Sequence, residues 1–282
     1  MTRRIHYTLL VRVNKFLAKL GFGSRRAIDH FITIGNVLVN GTPAVLGQKL
    51  VPQDLVTYAK QEFVFEGEDE LENDLEKVYL AFNKPPGIVC TKQTNEGTNV
   101  YDFLAENPDL FQGSSERYEA LAENQYHHIG RLDKDSRGLM IITNDGDLTQ
   151  KLTHPKYEHE KEYLVTCRKN IDDEFLKKFS EGVLIVREND ENDKVLTSPC
   201  LTKRFSENQF KVVLKQGYNR QIRKMVAALD NAVTDLFRIR ISNIVLKDYL
   251  DNEMIDKKYL GNLIILDKLD KGEFIEIQYP SI

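Results

Sequence analysis

Cysteine is scarce and scattered in this 282-residue chain: Cys90, Cys167 and Cys200 lie far apart and form no Cys-x-x-Cys pair. That excludes a disulfide framework and a cysteine zinc site, and it suits a reducing cytosol. Long apolar runs are missing too, since none approaches the roughly 20 residues that a membrane-spanning helix needs, so no membrane partner is expected. Tyr7 to Val13 is too short for a signal core and no small-residue cleavage site follows it, which argues against secretion and for a cytoplasmic protein. There is no GxGxxG phosphate cradle. His127, His128, His154 and His159 lack the spacing that would complete a tetrahedral metal set, so they read as surface or supporting residues. Cys90 has no local sign of activation as a nucleophile and reads as a buried thiol.

What is present has globular proportions, with 41% hydrophobic and 29% charged residues, and the length exceeds what one compact core usually holds. Two folding units are expected. The formal net charge of -4 conceals an asymmetry: residues 1 to 60 hold nine basic and two acidic residues, a net +7, while residues 61 to 76 hold eight acidic residues and no basic one. A compact basic unit followed by an acidic spacer suits a tethered polyanion-binding module, although a solvated charged face would give the same count.

Val13, Phe16, Leu17 and Leu20 form one apolar helical stripe that Gly21 and Gly23 stop. Ser24 can cap a second helix, in which Ala27, Ile28, Phe31 and Ile32 repeat the stripe until Gly35. Val37 and Val39 then alternate into Asn40-Gly41, a hairpin signal, and Leu55 to Tyr58 supplies a later strand. Arg12, Lys15, Lys19, Arg25 and Arg26 fall on the helical faces left free, where they can meet phosphates. The stretch RVNKFLAKLGFGSRRAIDHFITIGNVLVNG resembles the αL-type RNA-binding module of a small-subunit ribosomal protein and of bacterial tyrosyl-tRNA synthetases, over roughly residues 11 to 58. One departure is Pro52-Gln53-Asp54, where that family commonly has glycine before the acid.

The divisions expected are an RNA-binding domain over 11–60, an acidic linker over 61–76, a catalytic domain over 77–250 and a C-terminal extension of unknown role over 251–282. Val78 to Phe82 reads as a strand before the rigid turn Pro85-Pro86-Gly87. Further strands are expected at Leu139 to Thr143, Tyr163 to Cys167, Val183 to Val186, Phe210 to Leu214 and Ile239 to Leu246. A helix over Asn219 to Leu229 has Arg220, Arg223 and Lys224 on its polar faces. The fold class implied is α+β: a small N-terminal α-α-β domain and a larger, mainly antiparallel domain. Asn107 to Gln125 reads as a surface insertion, and Leu263 to Leu266 with Phe274 to Ile277 as an added hairpin through Lys271-Gly272.

The densest cluster of charge is HHIGRLDKDSRGLMIITNDGDL, where Arg131, Asp133, Lys134, Asp135 and Arg137 alternate in sign between apolar segments. A guanidinium beside a carboxylate orients it and favours its charged form, though an ordinary charged loop would look the same. Together with NKPPGIVCT before it and HEKEYLV and QGYNRQIRKM after it, the segment GRLDKDSRGLMIITNDGDL is similar to the pseudouridine synthases of the RsuA/RluB/RluE/RluF type, and points to the RluF-like branch. The resemblance implies that Asp133 is the catalytic aspartate, Arg223 its basic partner, Tyr163 the tyrosine against the target uracil and Arg131 an arginine near the displaced nucleotide. Ile222 and Lys84 would be scaffold around the site.

The reaction so implied detaches uracil from ribose at its ring nitrogen and rejoins it through carbon five, with no redox change, so neither metal nor other cofactor is expected. The target base must leave its stack, which favours loops and bulges of structured RNA. Arg220 and Lys224, with the five cations of the first domain, are expected to bind RNA, and a monomer is expected. Large-subunit (23S) ribosomal RNA is the expected substrate. A transfer-RNA anticodon stem-loop is the enzymatic alternative, and a non-catalytic RNA-binding or ribosome-assembly factor the alternative from another class.

Overall fold

The computed structural model describes residues 10–67, 77–91, 97–122, 126–187, 193–260, 262–278 and 280. It divides into two compact units, Met1–Glu76 and Lys77–Ile282.

The first unit runs β1 (Val11–Arg12), α1 (Val13–Lys19), α2 (Arg25–Thr33), β2 (Leu38–Val39), β3 (Thr42–Pro43), β4 (Lys49–Leu50), β5 (Asp54–Tyr58) and β6 (Gln61–Phe65). Ser24 Oγ accepts from the Ala27 N–H and starts α2. Phe16, Leu17, Ile28 and Ile32 on the helices bury against Val37, Val56 and Phe65 of the sheet ordered β3-β2-β5-β6. Asn40 and Gly41 both have positive φ, 51° and 75°, which is the primed turn that a two-residue hairpin needs. Gln53, which stands where the similar modules have glycine, takes φ 76°. Its backbone N–H to Phe65 O and its side-chain amide to Glu66 Oε2, both 2.7 Å, hold it there.

The expected linker begins too early. Gln61–Phe65 is a strand in register with β5 because Phe65 is fully buried against Phe16 and Phe63 packs on Phe22. The remainder of that segment, 68–76, lies outside the described residues, as do residues 1–9.

The second unit begins with β7 (Tyr79–Lys84), α3 (Val100–Glu106), α4 (Ser115–Ala122), β8 (His127–Ile129), β9 (Arg137–Thr143), α5 (Gly146–Thr153), β10 (Lys161–Cys167) and α6 (Asp173–Glu181). It continues with the ribbon β11 (Leu184–Val186) and β12 (Lys194–Leu196), then β13 (Leu201–Arg204), β14 (Gln209–Leu214), α7 (Gln221–Ala228), β15 (Val233–Ile241) and β16 (Ile244–Leu246). The tail adds α8 (Lys257–Leu260), β17 (Ile264–Leu266) and β18 (Phe274–Glu276). The main sheet is ordered β13-β14-β10-β15-β9-β7-β18, with β8 beside β9, and β16 between β15 and β17. It is antiparallel except at β15/β9 and β16/β17. Apolar clusters cover it: Ile141, Leu148, Leu164 and Ile239 in one, Phe82, Val100, Met140 and Phe274 in another, and Phe179, Phe210, Met225 and Val226 beneath α7.

Three expectations are corrected. Ile239 to Leu246 is not one strand: the chain reverses at Ser242, φ 54°, and Asn243. The tail forms no hairpin with itself. Its two strands join opposite parts of the main sheet, β17 beside β16 and β18 beside β7, because Phe274 is buried between Phe82 and Phe111. The described residues of 251–282 therefore belong to the second unit and extend its main sheet. Of the insertion 107–125, residues 123–125 lie outside the described residues; the rest is likewise anchored, by a 3-10 turn at Pro108–Leu110, by α4, and by Phe111 with its ring 5.2 Å from that of Phe274.

Candidate active site

The loop between β8 and β9 is tight. The Ser136 N–H closes a turn onto Asp133 O at 3.0 Å, and the Gly87 N–H, from the turn after β7, reaches Lys134 O at 2.6 Å. Asp133 is left with its side chain 27% exposed, facing the start of α7. Arg220 caps that helix in a left-handed conformation, φ 52°, and Arg223 follows three residues later on the same face. Arg220 Nη1 and Arg223 Nε each lie 3.7 Å from Asp133 Oδ2. The same two guanidiniums lie 3.4 and 3.3 Å from the Asp135 carboxylate, and Arg223 Nη2 also donates to Ser136 Oγ at 3.1 Å.

Two cations thus serve two carboxylates unequally. Burial works against the Asp135 charge, but Arg223 and the Arg220 hydrogen bond outweigh it and hold its carboxyl below the usual carboxylate range. Asp133 is ion-paired at a distance too long for a hydrogen bond. Among the described residues no donor reaches its carboxylate, so its oxygens stay open to an incoming group.

One rung of the sheet runs beneath this loop. Lys84 on β7 pairs with Gly138 on β9, Gly138 with Arg238 on β15, and Arg238 with Tyr163 on β10. Tyr163 is half-buried and packs against the apolar clusters on both sides of it. Lys84 is fully buried, its ammonium donating to Ile88 O at 2.8 Å and Pro85 O at 3.0 Å. Burial pulls it down to about 8; Cys90 opposes this and Arg238 adds to it. Cys90 Sγ accepts from the Leu132 N–H at 3.4 Å, and burial pushes its thiol up. Ile222 is buried under α7.

The structure therefore brings Arg223 to Asp133, while Tyr163 lies on the rung shared with Arg238 and Gly138. Arg131 is exposed and makes no ion pair among the described residues. Two expected RNA-binding residues are placed differently: Arg220 joins the carboxylate pair, and the Lys224 ammonium donates to Arg187 O at 2.7 Å. On the first unit Arg12, Arg25 and Arg26 are exposed, while Lys15 and Lys19 are half-buried. His127, His128 and His159 hydrogen-bond to Thr149, Tyr101 and Tyr259, and no group of three metal-ligating side chains occurs among the described residues. No helix there is long and apolar enough to cross a membrane.

Comparison with known proteins identifies the family of both units. Residues 78–228 match the RNA pseudouridylate synthase family and residues 11–56 match the S4 domain. The chain belongs to the RNA pseudouridylate synthase family and is an isomerase with an N-terminal RNA-binding S4 domain. It is 37% identical over 254 residues to the dual-specificity RNA pseudouridine synthase RluF of Escherichia coli K12, covering 87% of this chain and 78% of that protein. To the ribosomal large subunit pseudouridine synthase B of Buchnera aphidicola it is 31% identical, covering 92% and 97%. A crystal structure of a pseudouridylate synthase shares the fold, with a TM-score of 0.56 and 24% identity over 95% of this chain and 96% of that one.

Proposed function

We propose that the protein isomerises selected uridines of large-subunit ribosomal RNA to pseudouridine, with Asp133 as the catalytic carboxylate. The observation that supports this reading is the unequal pairing of the two aspartates: Asp135 is tied down, while Asp133 faces Arg220 and Arg223 at 3.7 Å with its oxygens unbonded. In the reaction the bond from ribose C1′ to uracil N1 breaks, the base turns, and C1′ joins C5. The C5 proton departs and N1 gains one, so no other reactant is consumed. A carboxylate that faces two guanidiniums and has no hydrogen bond of its own can serve as nucleophile or proton acceptor in that sequence. Tyr163 offers the detached base a ring face and a hydroxyl. Arg223, 13% exposed, is the counter-ion and Arg220 a second one at the rim. Arg131, exposed beside the loop, would fill the gap left by a displaced nucleotide.

The S4 domain supplies affinity through Arg12, Lys15, Lys19, Arg25 and Arg26, and the catalytic domain selects the base. A relative matched over most of both chains is named for the large ribosomal subunit, which supports ribosomal RNA as the substrate, and the dual-specificity relative keeps transfer RNA as the second reading. A monomer acting in the cytoplasm without a cofactor fits this reading. The test maps pseudouridine by carbodiimide-stopped primer extension in ribosomal and transfer RNA, comparing cells with the native protein and with Asp133→Asn. A specific stop that vanishes from ribosomal RNA is expected. Persistence of every stop while the variant still binds RNA would make the protein a binding factor.

A further inference from the structure

Two buried arginines stand two residues apart on β15 in opposite surroundings. Arg240, with no exposed surface, is neutralised: its Nε donates to Glu162 Oε2 at 2.8 Å and its Nη2 to Glu160 Oε2 at 3.0 Å. Arg238, 1% exposed, meets no carboxylate among the described residues. Its Nε donates to Leu139 O at 2.6 Å, its Nη1 reaches Arg131 O at 3.5 Å, and its buried Nη2 has no hydrogen-bond partner. An uncompensated buried charge is strongly unfavourable, and a fold that needed only volume here would gain from an apolar side chain.

What the guanidinium grips is the reason to keep it. Arg131 and Leu139 stand at the two ends of the segment that contains Asp133, so one rigid planar group spans the mouth of that loop. Its neighbour Gly138 has φ 113°, and a Cβ there would lie 2.3 Å from Arg238 O. The backbones of β9 and β15 therefore touch at this rung. Arg238 reaches the loop from within the sheet, while Arg223 holds Ser136 and both carboxylates from α7.

We propose that Arg238 is a positioning residue for the isomerisation, fixing the span of the Asp133 loop by bridging Arg131 O and Leu139 O. The proposal rests on Asp133 being the catalytic carboxylate. Its test is steady-state kinetics of the full chain on large-subunit ribosomal RNA from cells lacking the protein. Arg238→Met, Arg238→Lys and Asp133→Asn are compared, each rate being referred to the folded fraction.

A misplacement near 1 Å lowers turnover about 100-fold, so Arg238→Met is expected to lose about that much kcat with KM within about threefold of the native value. Arg238→Lys keeps the charge but has one donor group that cannot span both carbonyls, and it should fall between the two. Hydrogen exchange at the Ser136 amide should quicken in both variants. A folded Arg238→Lys protein with native kcat and native exchange at Ser136 overturns the proposal, whether or not Arg238→Met folds. If Asp133→Asn keeps its activity, it is the catalytic assignment that fails; if Asp133→Asn is dead while the Arg238 variants are not, only the positioning role fails.

Discussion

Two clusters of paired charge within the catalytic domain differ in whether they are closed. Around Arg240, Glu160, Glu162 and Lys211 every residue is nearly or wholly buried, and the hydrogen bonds run from guanidinium to carboxylate at 2.8 to 3.0 Å. Lys211 completes the network through Tyr249 O and Asp251, which fastens the segment after β16 to the sheet. Around Asp133 the ion pairs are longer, the carboxylate is partly exposed, and no donor among the described residues hydrogen-bonds it. Closed clusters fix topology, whereas an open cluster stores charge for a ligand. The two should therefore respond to mutation in different observables.

The largest effect is expected at the open cluster. Asp133→Asn preserves shape and removes the charge, and losing one member of a catalytic unit commonly lowers turnover about 10⁴-fold or more. Single-turnover pseudouridine formation should fall by that order, while the urea midpoint moves little. The closed cluster should show the reverse. Arg240→Met strands two buried glutamates, a change of about 3–5 kcal/mol. A large fall in unfolding free energy by urea titration, with kcat per folded molecule unchanged, is the expected outcome; a turnover defect in the folded fraction would erase the distinction.

How much of this the sequence displays depends on the range of the interaction. The helix pair, its Ser24 cap and the Asn40-Gly41 turn are local and readable from spacing. Asp133, Tyr163 and Arg223 are expected from motif resemblance, and only the fold shows Arg223 3.7 Å from Asp133 and Tyr163 opposite Arg238 on the rung below. The roles of Arg220 and Arg238 escape such a reading, because a second counter-ion and a buried bridge are defined by distances between segments about a hundred residues apart. The tail misleads for the same reason. Its apolar alternation predicts strands, but only the rings of Phe82 and Phe111 determine that Phe274 lies beside β7 and not beside its sequence neighbour.

Lys84 sharpens the comparison from the side of pH. Its folded value near 8 lies below the ordinary 10.5, so between those limits the unfolded chain binds more protons and stability rises with pH. At about 1.4 kcal/mol per pKa unit the rise is on the order of 3 kcal/mol over that window. Urea midpoints at pH 7.5 and pH 10 should show this rise in the native protein and a flatter profile in Lys84→Met. An identical rise in the variant would assign the effect to another group.

The smallest effect belongs to charges that neither cluster neutralises. Arg25 and Arg26, exposed on the first turn of α2, have no carboxylate partner among the described residues, so their replacement should leave the fold alone. Each phosphate contact contributes about 0.9 to the slope of log affinity against log salt on a duplex and about 0.7 on a single strand. Arg25→Ala with Arg26→Ala should therefore flatten that slope by 1 to 2, raise KM for RNA, and spare kcat at saturating RNA. A kcat defect at saturation would mean that these arginines orient the target and do not merely retain it, and the division of labour between binding and catalytic domains would have to be redrawn.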